Sequence, residues 1–442
     1  MRLTPTSEQE AAIEKIVSEP TKSALIAAEL GTGKTLISVE AALRLGVRTV
    51  LVAAPLGTRV GWERRFAGQG WAAPIHRVTS KAEGKAAFEA LKAKQAGVYI
   101  VGREYLRRLD WSKVKPDLVI ADECHFFANR KSVSNRKMNS IKSTYRFAVS
   151  GTWFGNKFEN AWAITRWLWP DKTIVDNSFW RWASQWAKIE YDPFAGQKIT
   201  GEKNPGAYVA QLPCYIYIKA ANFEVVEDIR YVELTPTQRK MYSQMEMESV
   251  AWLGENPLVS EVPITQRIRL RQMTLGTVTF NAEGEVDFSL TCNSGKIEML
   301  KEILTDLDDE PVLILTDSAR FAKVVKHRLG DKAALWIGGV SHKDREALLD
   351  KFGRSVQYLV ATIPAIAEGV DGLQDRCANM VWLSKSENAL MNEQVSKRLV
   401  RTGQTRPVTS YEIVAENTLD EGVMSRLLLT ALENNKSLGR TA

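Results

Sequence analysis

Two series of short apolar segments, each segment followed by a stretch of helical periodicity, constrain this chain more than any other feature. The first series is residues 23–27, 49–53, 98–101, 118–121 and 147–149, and the second is 312–315, 358–361, 380–383 and 411–414. Runs this short and this apolar belong to strands buried on both faces, and their alternation with helices makes the sheet parallel. Two series predict two α/β domains in tandem, which 442 residues can supply. Between them, over residues 159–299, the pattern is mainly helical, broken by a Gly/Pro/Lys-rich stretch at 192–206 that reads as an exposed loop. The boundary is expected between Asn222 and Val232. That gives domains 1–222, with a helical extension from residue 159, and 223–442, with a helical lead-in at 233–300.

Composition narrows the partners only a little. A net charge of +7 permits a polyanion and does not require one. Cys124, Cys214, Cys292 and Cys377 are far apart and the four histidines are scattered, so neither a disulfide framework nor a structural metal is expected. No apolar run approaches the ~18 residues of a membrane span, and no signal-type stretch follows Met1.

Residues 28–35 read Ala-Glu-Leu-Gly-Thr-Gly-Lys-Thr, between an apolar segment and an amphipathic helix expected over 35–45. A phosphate-binding loop needs small residues that let backbone N–H groups approach, a lysine for the β/γ oxygens and a hydroxyl for Mg²⁺. Gly31, Thr32, Gly33, Lys34 and Thr35 meet those needs for ATP, and the helix start favours anions. Ala28 stands where the strict pattern has its first glycine, so the backbone there must tolerate a Cβ.

The segment 118–121 runs into Asp122, Glu123, Cys124 and His125. Carboxylates at the end of a strand in a parallel sheet lie where ligand sites gather. Asp122 is expected to hold Mg²⁺, and Glu123 to position and activate the attacking water. An Asp-Glu pair alone is commonplace; its weight comes from standing on its own strand downstream of the loop. Ser150, Gly151 and Thr152 follow the segment 147–149, with hydroxyls able to link the Asp-Glu strand to the other domain, although such a tripeptide is often only a turn.

Near the C-terminus, Gln394, Arg398 and Arg401 are spaced i, i+4, i+7, one face of a helix, while Val395 and Leu399 share another. The guanidinium fork suits a γ-phosphate and stabilises charge in phosphoryl transfer. Triphosphate machinery divided between two domains lets hydrolysis change their relative position.

With these motifs in order, the chain resembles the superfamily 2 helicases and translocases, and more narrowly the SWI/SNF-like ATPases, over nearly its whole length. Residues 51–55 with Trp62 and Phe66 resemble motif Ia, and residues 150–156 with Trp162, Trp169 and Pro170 resemble motif III and the helix after it. Residues 233–238 with Tyr242 resemble the lead into the second domain, and Ser294, Gly295 and Lys296 with Leu300 a helix start. Residues 401–404, Arg-Thr-Gly-Gln, are the narrowest match. The resemblance implies two RecA-like parallel-sheet domains with a mainly helical insertion between them, and ATP with Mg²⁺. It implies catalytic roles for Lys34, Asp122, Glu123, Arg398 and Arg401, and adenine recognition by Gln9. It implies coupling roles for His125, Ser150, Gly151, Thr152, Gly369 and Gln394.

Departures from the family pattern are Cys124 for alanine, Trp153 for proline, Gly-Val-Asp-Gly at 369–372 for Gly-Ile-Asn-Leu, and Tyr-Ile-Tyr-Ile-Lys at 215–219 near the place of Arg-Arg-Lys. No bromodomain, chromodomain or zinc module is evident, which points to a minimal motor of bacterial or phage type and a cytoplasmic location.

Phosphate contacts supply affinity without reading sequence. By the resemblance, the basic, hydroxyl-rich stretch 129–137 follows a nucleic-acid backbone, with Asn129, Arg130 and Lys131 as contacts. Arg59 and, after the segment 312–315, Thr316 and Ser318 are further candidates. Arg267, Arg269 and Arg271 alternate and do not share a helical face. Seven of the thirteen tryptophans fall between Trp153 and Trp186; aromatics stack on single-stranded bases, but at helical spacing they are more often core.

The expected activity is ATP-driven translocation on DNA, duplex favoured, with no membrane partner, with replication or recombination proteins as further partners, and with the oligomeric state left open. The alternatives are a strand-separating DNA or RNA helicase, a branch-migration or annealing motor, and an ATP-gated DNA-binding switch. A small-molecule kinase would leave the second α/β domain without a role.

Overall fold

The strand that precedes the phosphate loop is one of seven that run parallel. They are β1 (Ser23–Ile26), β2 (Thr49–Ala53), β3 (Ile75–Arg77), β4 (Gly97–Val101), β5 (Leu118–Asp122), β6 (Tyr145–Val149) and, after a hairpin of β7 (Ala187–Asp192) and β8 (Gly196–Glu202), β9 (Tyr215–Ile216). Their order is β3-β4-β2-β5-β6-β1-β9. A second parallel sheet follows from β10 (Val225–Val232), with the hairpins β11 (Val250–Leu253) with β12 (Asn256–Val259) and β13 (Val278–Phe280) with β14 (Val286–Phe288) next in the chain. It is completed by β15 (Val312–Thr316), β16 (Ala333–Trp336), β17 (Tyr358–Thr362), β18 (Asn379–Trp382) and β19 (Val408–Ala415), in the order β10-β19-β18-β15-β17-β16. The architecture is two RecA-like α/β domains in tandem. The computed structural model describes residues 2–437 apart from 30, 56–57, 156, 193–195, 220–224, 254–255, 260–261, 309, 341, 368–371 and 402.

The chain divides into two compact units, Met1–Ala221 with Ala431–Ala442, and Asn222–Thr430. In the first, β1, β2, β4 and β5 are buried along their whole length, as strands covered on both faces must be. In the second, alternate residues of one strand enter different cores. Val312 and Ile314 of β15 join a cluster with Ile297, Leu300 and Phe321, whereas Leu313 and Leu315 join one with Trp336, Trp382 and Leu399. This period of two gives each face of the second sheet its own core.

The stretch between the two apolar series carries the helices Asn160–Leu168, Phe179–Trp186, Pro236–Glu248 and Pro263–Leu275, together with hairpins that the alternation did not predict. One of these corrects the expected loop at 192–206: β8 lies there, antiparallel to β7. Ile189 faces Ile199 and Glu190 faces Lys198, and such cross-strand pairs stabilise a ribbon that a count of Gly, Pro and Lys does not see. The tryptophans of residues 153–186 are chiefly core: Trp153, Trp167, Trp169 and Trp182 are all buried, with Trp182 packed on Phe158 and Tyr208, while Trp180 is exposed. Among the described residues no helix is long and apolar enough to cross a membrane.

Candidate active site

β6 lies between β1 and β5, so the C-terminal ends of three neighbouring strands bring together the phosphate loop, Ser150 and the Asp122–Glu123 pair. The loop turns on Gly31 and Gly33, at φ 82° and 84°, a region costly for a side chain, and Gly33 caps the helix Lys34–Arg44. A Cβ on Gly33 would also come within 2.4 Å of the Gln9 amide nitrogen. Ala28, by contrast, has no positive φ, which is why a Cβ is tolerated where the strict pattern has glycine. Gly151 is needed for a close approach instead: a Cβ there would lie 3.3 Å from the Ala28 carbonyl oxygen.

Lys34 Nζ donates to the carbonyls of Ala28 and Glu29, both at 2.9 Å, and Thr32 Oγ1 donates to Glu29 at 2.6 Å. Thr35 follows Lys34 in the first turn of the helix. Gln9 sits in a capping box with Thr6, and its Nε2 donates to the Thr32 carbonyl at 2.9 Å. The first helix thereby grips the loop. Tyr217, just past β9, donates its hydroxyl to Glu29 at 3.0 Å. The sequence carried no sign of this contact, because β9 is only two residues long.

Asp122 accepts hydrogen bonds from Thr58 Oγ1 at 2.7 Å and Trp62 Nε1 at 2.8 Å, both on its Oδ2. Burial, and then the Glu123 charge beside it, push the Asp122 carboxyl up to about 6, against those two donors and the charge of Lys34. Burial alone would raise Glu123 as well. It is outweighed by the hydrogen bond and charge of His125, the charge of Lys34 and the Ser150 hydroxyl, which bring Glu123 down to about 2. The geometry agrees: Ser150 Oγ donates to Glu123 Oε2 at 2.9 Å, and His125 Nδ1 lies 3.3 Å from that oxygen and 3.2 Å from Ser150 Oγ. The Ser150 hydroxyl also accepts from the Thr152 N–H at 3.2 Å. Glu123 itself holds φ 46°, a strained conformation for a residue with a side chain. Cys124 is fully buried, and burial keeps its thiol protonated.

The SNF2-related domain matches residues 9–275. This chain belongs to the SNF2-related family. An uncharacterized ATP-dependent helicase of Mycoplasma genitalium is 22% identical over 90% of this chain and 38% of its own length. The human SWI/SNF-related matrix-associated actin-dependent regulator of chromatin subfamily A member 1 is 21% identical over 91% of this chain and 40% of its own. The chain spans about two fifths of the length of these curated relatives. The SWI2/SNF2 ATPase core of Sulfolobus solfataricus, solved with double-stranded DNA, is 18% identical with a TM-score of 0.44, covering 100% of this chain and 94% of that one.

The second-domain residues expected in this SNF2-related site are arranged differently from the sequence reading. The helix Ala389–Ser396 carries Gln394 in its last turn and stops there, and Arg398 and Arg401 follow in turns, so the three do not share one helical face. The backbone tightens after Ser396, with Arg398 N–H bonded to Val395 and Leu399 N–H to Ser396. Arg398 Nη2 donates to the Ala367 carbonyl at 2.7 Å. Gly369 lies outside the described residues.

The nucleic-acid candidates also separate. Lys131 is exposed and Asn129 makes a local turn by accepting from its N–H, while Arg130 lies over the Phe179 ring, 3.9 Å from its centroid. Arg59 must be reassigned. It is buried, and its guanidinium donates to the Ala54 and Val78 carbonyls and to Glu104, so it pins the strand ends together. Thr316 is buried too, sharing its hydroxyl with Ser384, and Ser318 caps the helix Ala319–Leu329. Arg267 and Arg271 both pair with Glu387.

Arg59→Ala is expected to cost about 2–4 kcal/mol of stability, because two buried carbonyls lose their donor, and to leave DNA affinity unchanged. Denaturant melts and a DNA titration check this. Lost affinity at full stability would return Arg59 to the nucleic-acid surface.

Proposed function

We propose that this chain hydrolyses ATP at the site on β1, β5 and β6 and uses hydrolysis to move along double-stranded DNA. The observation that carries the reading is the convergence of the phosphate loop, Ser150 and Asp122 with Glu123 on three neighbouring strand ends, in a member of the SNF2-related family. A relative named as an ATP-dependent helicase supports it. Duplex is favoured over single strands because the tryptophans between residues 153 and 186 are mostly spent in the core rather than offered as a stacking platform.

Lys34 and the loop N–H groups take the phosphates. Thr35 and Asp122 would hold Mg²⁺. The fit is chemical: both offer hard oxygen donors, and Asp122 is a buried carboxyl whose burial penalty a cation relieves. When bound, Mg²⁺ neutralises charge on the phosphate oxygens. Glu123, kept ionised and oriented by His125 and Ser150, positions and polarises the attacking water. Arg398 and Arg401 stabilise transition-state charge, and Gln394 and Gly369 couple it to movement. Gln9 retains a spare donor and a spare acceptor on its amide for adenine.

Steady-state ATP hydrolysis measured alone, with single-stranded DNA, with duplex DNA and with RNA tests the reading. Stimulation by duplex DNA is expected, followed by displacement of a third strand from a triplex. Stimulation only by single strands or RNA would favour a strand-separating helicase, and stimulation without displacement an ATP-gated binding switch.

A further inference from the structure

β10 closes one edge of the second sheet. It pairs with β19 along its whole length and, among the described residues, with no strand on its other side. Such an edge offers a row of backbone N–H and C=O groups to any strand that meets it, and sheets usually blunt it with lysine, proline, a bulge or a short strand. β10 uses none of these. It is an 8-residue strand, Val-Val-Glu-Asp-Ile-Arg-Tyr-Val, in unbroken register with β19. Val225, Val226, Ile229 and Tyr231 are all exposed along it, Tyr231 at 49%.

The charges on this edge select a partner. Alternate residues of a strand share a face, so Val225, Glu227, Ile229 and Tyr231 lie on one and Val226, Asp228, Arg230 and Val232 on the other. Arg230 donates to both carboxylate oxygens of Asp228 at 2.8 Å, and the two side chains remain 41% and 31% exposed. Antiparallel pairing of β10 with a second copy of itself must set residues of the same face opposite each other, so the twofold axis passes at one residue. An axis at Glu227, Asp228 or Arg230 brings like charges face to face, and an axis nearer either end pairs only a few residues. An axis at Ile229 sets Ile229 against itself, Val226 against Val232, Glu227 against Tyr231, and Asp228 against Arg230 of the second copy. Symmetry makes the last pair twice. Opposite charges and apolar side chains directly across an antiparallel pair are the contacts that stabilise it.

We propose that β10 is a dimerisation edge, joining two copies of this chain antiparallel about Ile229 so that their second sheets become continuous. A strand edge buries less than a standard interface, so the dimer is weak, with a dissociation constant on the order of 10 µM.

The test is sedimentation velocity of the full chain over a concentration series, with thermal melts to verify folding of each variant. The wild-type chain is expected to pass from monomer to dimer across the series. Arg230→Asp and Asp228→Arg each place like charges opposite one another at both symmetric positions, and each is expected to weaken association at least about tenfold. An equimolar mixture of the two variants faces Asp with Arg at both positions again. It is expected to associate within about threefold of wild type, although neither variant has its pair within the strand.

A wild-type chain still monomeric at about 200 µM would overturn the proposal, since a dimer of the stated strength would be mostly formed there. Single variants that associate as well as wild type would place any dimer contact elsewhere and overturn it too. A mixture that stays as dissociated as its components would show that the Asp228–Arg230 pair serves only its own strand, with the same consequence.

Discussion

Lys34→Ala is expected to lower ATP turnover by a factor of about 10²–10³, the size of effect seen when one preorganised donor facing a developing oxyanion is removed. Lys34 acts in two places. Its ammonium stands on the phosphate loop, within hydrogen-bond distance of the Ala28 and Glu29 carbonyls. Its charge also lowers both Asp122 and Glu123. Removing it deprives the phosphates of a cation and lets burial push the Asp122 carboxyl further up, so cation binding weakens with phosphate binding. Nucleotide titration and single-turnover hydrolysis should therefore fall together. An unchanged turnover number would sink the assignment of this loop as the active site.

Glu123→Gln should separate those two quantities. Glutamine preserves the shape of the side chain and an acceptor for Ser150, but it cannot carry the charge that aligns water. Turnover is expected to fall about 10²–10⁴-fold, the range for a positioned acid–base group. Nucleotide binding should hold or tighten, because the Glu123 charge is one of the causes that raise Asp122, and without it the Asp122 carboxyl falls toward its ordinary range. Loss of binding in this variant, at intact folding, would make Glu123 a ground-state ligand and remove it from the water-activating role.

Both expectations rest on residues already legible in the sequence. Lys34, Asp122, Glu123 and Ser150 lie within motifs whose flanking strands and helices follow from local periodicity. The helix after the loop, expected at 35–45, spans Lys34–Arg44. Strands buried on both faces carry their own signature, because every residue must be apolar to be covered twice. Edge strands lack it. β3 and β10 mix charged residues with apolar ones, and β9 is only two residues long. The helix bearing Gln394 was misjudged for a related reason. Periodicity continues through Leu399, which is buried, but the helix stops at Ser396 because burial there is achieved by turns.

Identity and order in the chain were thus enough for the α/β class, the two sheets and the phosphate-loop chemistry, since these depend on patterns within a few residues of one another. The environment of each group was not. Arg59 is a basic residue in a suggestive place, and only the fold shows its guanidinium turned inward onto Ala54, Val78 and Glu104. The opposed shifts of Asp122 and Glu123, adjacent in sequence and chemically alike, arise because burial and the Glu123 charge outweigh the Trp62 and Thr58 donors at one, while His125, Lys34 and Ser150 outweigh burial at the other. His125 is local, but Lys34, Thr58, Trp62 and Ser150 come from segments tens of residues away. Hydrogen bonds, desolvation and like-charge repulsion act over a few ångströms of space, a distance that linear order does not encode and that the packing of β2, β5, β6 and β1 determines.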